Sequence, residues 1–317
     1  MAGLLCLTLI ISACSSTPMS NNLLQEKSTL PIRAEITKVP FFPQEKYQCG
    51  PAALATVLNF QNQQTQPHEL IDKVYIPGKQ GSVALEMLAA TRHYKQLAYP
   101  LTASLEDILQ EIAAGHPVLV MQNLAFNWKP QWHYAVVVGY DLDAEQLILR
   151  SGTDKRHTVP LTTFERTWRR ADYWGLVVLA PHKIPVTAMP TTFIKAAQQL
   201  NSTGSPESAR QAFQAATEKW PDNALPWLAL GNYYYAQQHY QLAEQSFRSG
   251  LQENADKNEL WNNLAYSLSA QGCQQEALNA LQCAIEQTPN DENLRDSWQQ
   301  ISLQKAGTGQ CAAILCP

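Results

Sequence analysis

Residues 48–58 read QCGPAALATVL, a cysteine set directly before Gly-Pro and a run of helix-forming, mostly apolar residues. Proline is tolerated in a first helical turn, so the pattern predicts a helix over residues 50–60 with Cys49 at its start. Unpaired backbone N–H groups and the positive end of the helix dipole favour thiolate over thiol at such a position. His133 opens a second informative run, HYAVVVGYD, 84 residues further on, whose β-branched residues predict a strand. A nucleophilic thiol and its base need to meet only in space, so the separation along the chain is no objection. Taken singly, Cys49 reads equally as a buried structural thiol and His133 as a sheet histidine; taken together they point to a nucleophile and a general base.

The surrounding residues narrow the reading. VPFFPQEKYQCGPAALATVL (39–58), HYAVVVGYD (133–141) and the following strand QLILR (146–150) together resemble the C39-like, double-glycine-peptidase branch of the papain-like cysteine peptidases, over roughly residues 36 to 180. The resemblance implies an α+β papain-like domain with an antiparallel sheet packed by helices, Cys49 as nucleophile and His133 as general base. It also implies that Gln44 helps the Cys49 N–H to hold the oxyanion, a contribution of about 2.7–4 kcal/mol in comparable sites. The family usually spaces this glutamine slightly further from the cysteine; the alternative is a solvated loop glutamine. Where the family carries an acidic or amide residue to orient the imidazole, pairing the two strands brings Ser151, which accepts a hydrogen bond but supplies no charge. Asp154 lies three residues on and is the other candidate, whereas Asp141 and Asp143 read as turn residues. The resemblance implies a peptide or protein substrate, often cut after small residues, and no cofactor or metal. Amidase and transpeptidase outcomes use the same residues, and a non-catalytic peptide-binding scaffold is the competing class.

Apolar spacing predicts further helices over residues 81–94 and 104–115, the second capped by Ser104, and strands over HPVLVMQNL (116–124) and WGLVVLA (174–180). Gly81-Ser82 and the Trp128–Trp132 loop are expected to border the cleft. The loop's aromatic residues suit either a peptide groove or packing on the sheet edge.

With 317 residues, 45% of them apolar and 16% charged, the chain has material for two domains. A net charge of -4 gives no nucleic-acid footprint. Arg166, Arg169 and Arg170 around Trp168 read as a solvated helix face with one packed tryptophan. MAGLLCLTLIISAC (1–14) has an apolar core ending in Ile-Ser-Ala-Cys, which resembles a bacterial lipobox without the usual basic residues before it. That predicts a signal peptide over 1–13 and a lipid anchor on Cys14. It also predicts a cell-envelope protein facing the periplasm, on the outer membrane because no aspartate follows the cysteine. Residues 14–33 read as a flexible tether, 34–182 as the peptidase domain and 183–189 as a linker.

Beyond the linker a 34-residue period appears: Ala209, Ala243 and Ala277 recur in step, as do Phe213, Phe247 and Leu281, and Ala216, Gly250 and Ala284. The pattern resembles tetratricopeptide repeats over 190–303, closed by a capping helix and expected either to bind a protein partner or to pack as a spacer. Residues 304–317 form a cysteine-containing tail. Cys273 and Cys283, about 15 Å apart on one helix at 1.5 Å per residue, cannot pair with each other. In an oxidising compartment each is expected to hold the tail through Cys311 or Cys316, a four-thiol zinc site being the less fitting alternative.

Overall fold

The computed structural model describes residues 16–25, 29–44, 48–76, 78, 81–304 and 307–316. The signal segment and Cys14 lie outside the described residues. The first part runs α1 (Pro18–Gln25), β1 (Arg33–Glu35), α2 (Cys49–Phe60), α3 (Pro67–Val74), β2 (Tyr75–Ile76), β3 (Gly81–Ser82), α4 (Ala84–His93), β4 (Leu97–Pro100), α5 (Leu105–Ala113), β5 (Val118–Asn123), β6 (Trp132–Asp141), β7 (Gln146–Ser151), β8 (Asp154–Pro160), α6 (Leu161–Arg169) and β9 (Gly175–Leu179). The second part is helical throughout: α7 (Pro190–Ser202), α8 (Pro206–Lys219), α9 (Ala224–Ala236), α10 (Tyr240–Glu253), α11 (Asn258–Ala270), α12 (Gln274–Gln287) and α13 (Glu292–Ser302).

An antiparallel sheet in the order β4-β9-β5-β6-β7-β8, with β1 added on β6, forms the frame of the first part. Its central strands are apolar on both faces because both faces are covered. Leu119, Tyr134, Val136 and Val138 pack toward Leu54, Leu58 and Met87 of α2 and α4. Val118, Val120, Ala135 and Val137 pack toward α5 and α6. The wholly buried Trp168 fills this second face and donates from Nε1 to the Trp174 carbonyl at 2.8 Å. Buried arginine is tolerated at Arg150 because its guanidinium donates to the carbonyls of Val39, Thr37 and Lys155.

Part of the expected flexible tether is built structure. Glu165, 1% exposed, accepts from the Met19 and Ser20 amides and the Ser20 hydroxyl at 3.1, 2.7 and 2.6 Å. A carboxylate is thus seated on orphan amides at the start of α1, where negative charge is favoured. Residues 18–25 are docked on the domain by this contact, and β1 pairs with β6, so neither serves as a loose linker.

The repeats show why their sequence period uses small residues. A Cβ on Gly231 would lie 2.3 Å from the Phe247 ring, and one on Gly250 would lie 2.7 Å from Trp227. The tryptophans also repeat their polar contact in register: Trp227 Nε1 donates to the Pro221 carbonyl at 2.8 Å, and Trp261 Nε1 to the Ala255 carbonyl at 2.9 Å. Cys273 pairs with Cys311 and Cys283 with Cys316, which removes the four-thiol zinc alternative and straps the tail to α12. Arg248 donates to the carbonyls of Ala312 and Ala313 beside these links.

The two parts do not have separate cores. Phe193, Ile194, Ala197 and Leu200 of α7, with Ala212 and Phe213 of α8, join the same apolar cluster as Tyr99, Ile108, Val118 and Leu179. α7 covers the β4 edge, which would otherwise offer unpaired strand groups. Polar contacts reinforce the junction: Met189 N donates to Tyr99 Oη at 3.1 Å, the Thr187 amide and hydroxyl to buried Glu111 at 2.8 and 2.7 Å, and Arg92 to Gln199. A second core begins only with Ala243, Phe247 and Leu260. Sequence places the domain break at 183–189; the packing places it inside the helical array, after α9, whose Ala229 and Leu230 still belong to the first cluster. Phe193→Ala should therefore lower the stability of the sheet domain itself, by about 3–5 kcal/mol. Urea unfolding followed through Cys49 accessibility checks this, and an unmoved midpoint would mean that the sheet core stands alone.

Candidate active site

The first turn of α2 sets the position of the thiol. Gln48 caps the helix without a side-chain hydrogen bond, Cys49 is the first helical residue, and Pro51 carries no amide hydrogen. Gly50 is required by close packing: a Cβ there would fall 2.1 Å from Ser82 Oγ. The short β2–β3 hairpin thus lies directly against the start of α2, and the Ser82 hydroxyl is buried with no hydrogen-bond partner.

Cys49 is the only free cysteine among the described residues and is partly buried. Burial pushes its pKa up, while the amides of Tyr134, Gly50 and Cys49 itself draw it down; burial wins. The sulfur therefore lies at the peptide that joins His133 to Tyr134. The thiolate expected from the helix terminus is not the favoured resting form, because three backbone amides do not replace the water that burial removes.

His133 stands at the start of β6, and Ser151 at the end of β7. Antiparallel pairing brings these strand ends together, with His133 Nε2 2.8 Å from Ser151 Oγ. Burial lowers the His133 pKa to about 4, with the charge of His157 adding to the effect. Its unfolded value is about 6.5, so the unfolded chain binds more protons between these two values. Stability from keeping this ring neutral is lost as pH falls from about 6.5 toward 4.

Gln44 is held at both ends. Its amide donates to the Gly152 carbonyl at 2.9 Å and its Nε2 to the Tyr134 carbonyl at 3.1 Å, so it and the Cys49 sulfur both meet the backbone of Tyr134, on consecutive peptides. One Nε2 hydrogen is used in that bond, and the group carries two. Asp154 is directed elsewhere. Its carboxylate accepts from the Arg156 amide at 2.9 Å and lies 3.8 Å from His157 Nδ1, so it caps its own strand and does not hold His133. His157 escaped the sequence reading because β8, DKRHTVP, lacks the alternating apolar pattern of a half-buried strand. Among the described residues no group of His, Cys, Asp and Glu is arranged to hold a metal ion.

A second concave feature, a groove of about 650 Å³, lies on the repeats between Leu225, Leu228, Asn232, Asn258, Asn262 and Leu294. The Oδ1 atoms of Asn258 and Asn262 are buried there without partners.

Residues 36–175 match the model of the Peptidase_C39 like family, and residues 195–258 and 228–292 match that of the tetratricopeptide repeat. Among solved structures, a protein from Bacillus anthracis described as a C39-like peptidase is 18% identical, over 46% of this chain and 97% of its own, with a TM-score of 0.39. A double glycine motif protease from an AMS/PCAT transporter, in complex with the leader peptide, is 20% identical over 45% of this chain and 91% of its own, at a TM-score of 0.35. YrrB, a tetratricopeptide protein with an unusual peptide-binding site, is 25% identical over 36% of this chain and 58% of its own, at 0.31. No curated protein matches the chain.

Alkylation of Cys49 by iodoacetamide should accordingly rise with a midpoint above the value of about 8.5 for a free thiol. Ser151→Asp should set a carboxylate on His133 Nε2, favour imidazolium, and bring the thiol midpoint down by about 1–3 units. A wild-type midpoint below 7 would contradict the desolvation argument.

Proposed function

We propose that this chain, a Peptidase_C39-like domain joined to tetratricopeptide repeats, is a cysteine peptidase of the cell envelope that cuts peptide bonds at Cys49. The observation that carries the reading is the convergence of four groups on the start of β6: the Cys49 sulfur at the Tyr134 amide, Gln44 on the Tyr134 carbonyl, and His133 held by Ser151. With Nε2 tied to Ser151, the other ring nitrogen, Nδ1, serves as the base and Ser151 Oγ accepts from Nε2–H. His133 takes the thiol proton as the sulfur attacks the substrate carbonyl. The Cys49 amide and the second Nε2 hydrogen of Gln44 receive the oxyanion. His133 then returns the proton to the leaving amine, and a water deprotonated by the same ring hydrolyses the thioester, restoring thiol and imidazole.

Starting from a neutral pair, each turnover must create charge in a buried site that offers a hydroxyl in place of a carboxylate. This favours a slow enzyme, and it also motivates the second reading, a peptide-binding scaffold without turnover. An electrophilic peptide-like probe separates the two. Labelling mapped to Cys49 in the folded protein, at least tenfold slower in His133→Ala, is the expected result; labelling only after denaturation would leave the scaffold reading.

The repeats supply the partner site in this proposal: the groove of about 650 Å³ between Leu225, Leu228, Asn232 and Leu294 is the seat of an extended peptide. The disulfides Cys273–Cys311 and Cys283–Cys316 support an oxidising compartment. Among the described residues no helix is long and apolar enough to cross a membrane. Attachment is assigned to lipid on Cys14, each buried methylene contributing about 0.8 kcal/mol. Cys14→Ser should move the protein from the membrane fraction to the soluble one or leave it unprocessed, and unchanged fractionation would remove the anchor from the proposal.

A further inference from the structure

The loop between β5 and β6 is firmly built yet turns its apolar residues to solvent. Asn123, 1% exposed, accepts from the Ala125 and Gln131 amides at 3.1 and 2.9 Å, and Leu124 N donates to the Gln131 carbonyl at 2.9 Å. On this frame Phe126 and Trp128 stack with ring centroids 5.7 Å apart while remaining 65% and 80% exposed. An ordered pair of bare aromatic rings is unusual on a protein surface, and it calls for a covering medium.

Two hydrogen bonds connect this loop to the start of the described chain. Arg170 Nε donates to the Asn123 carbonyl at 3.0 Å, and the neighbouring Arg169 donates to the Ser16 carbonyl at 2.9 Å. In the sequence Cys14 precedes Ser16 by two residues. Glu165 fixes the start of α1, so the described chain begins against this edge. Arg166, exposed on the same last turn of α6, and Lys129 in the loop add positive charge, with exposed Asp172 the acidic side chain just beyond.

We infer that this edge rests on an anionic bilayer surface, with Phe126 and Trp128 in the interfacial layer and the arginines against phosphate groups. The choice of a lipid surface over a peptide rests on the reading of Cys14 as lipidated. β5 ends, β6 begins and β7 ends at this same side of the sheet, so His133 and Ser151 lie at the end of the sheet that would face the membrane. The substrate class follows: a membrane-proximal polypeptide segment, presented at the bilayer surface.

The test uses the unlipidated chain from Ser15 onward, which keeps every described residue, with sedimentation on vesicles of phosphatidylethanolamine and phosphatidylglycerol. Partition should be at least tenfold weaker on phosphatidylcholine vesicles, and weakened as much by Phe126→Ser with Trp128→Ser or by Arg166→Glu. Equal partition of wild type and variants would overturn the inference. So would a raised KM for a soluble peptide in the aromatic variants with vesicle partition unchanged, the result expected of a peptide groove. Circular dichroism checks that these exposed substitutions leave the fold intact. Fractionation of Cys14→Ser in cells reports the anchor alone, so failure of the anchor and failure of the docking edge are read separately.

Discussion

Desolvation without a compensating charge governs this site. The first turn of α2 lies so close to Ser82 of β3 that only glycine fits at position 50, and burial beside it raises the pKa of the Cys49 thiol. His133 is half-buried at the start of β6 and finds a hydroxyl, not a carboxylate, on its Nε2. Both groups are pushed toward their neutral forms. In the reaction proposed above, stabilisation of negative charge would fall to backbone amides and to Gln44, which the Gly152 and Tyr134 carbonyls hold in place.

The same tight packing couples the site to the rest of the chain. The sheet that positions His133 and Ser151 is covered on one face by α2 and on the other by a core that runs without interruption into α7 and α8. Helices α7 to α9 are consequently part of the scaffold of the site, whereas α10 to α13, with their own core and disulfide-strapped tail, form a more separable unit.

Much of this was legible in the sequence where the signal is local. The Cys-Gly-Pro helix start, the β-branched run after His133 and the 34-residue spacing of alanines each follow from short-range rules. Strand pairing alone brought Ser151 into consideration, since register across a short turn is set by period. What escaped the reading depends on contacts distant in sequence. PMSNNLLQ is too short and polar to announce a helix, and it is held by Glu165 from 145 residues away. The shared core was hidden because α7 obeys the repeat period while burying its apolar face on a sheet that the period does not mention. Asp154 looked available because a carboxylate three residues along is near in sequence, but the β-hairpin turns it toward His157.

The protonation state of His133 tests the account most directly. A nitrogen-15 NMR titration of its ring should show a neutral imidazole, protonated at Nε2, down to about pH 4. An imidazolium at pH 6 to 7 would mean that Cys49 rests as a thiolate beside it, and the desolvation-governed site described above would be wrong.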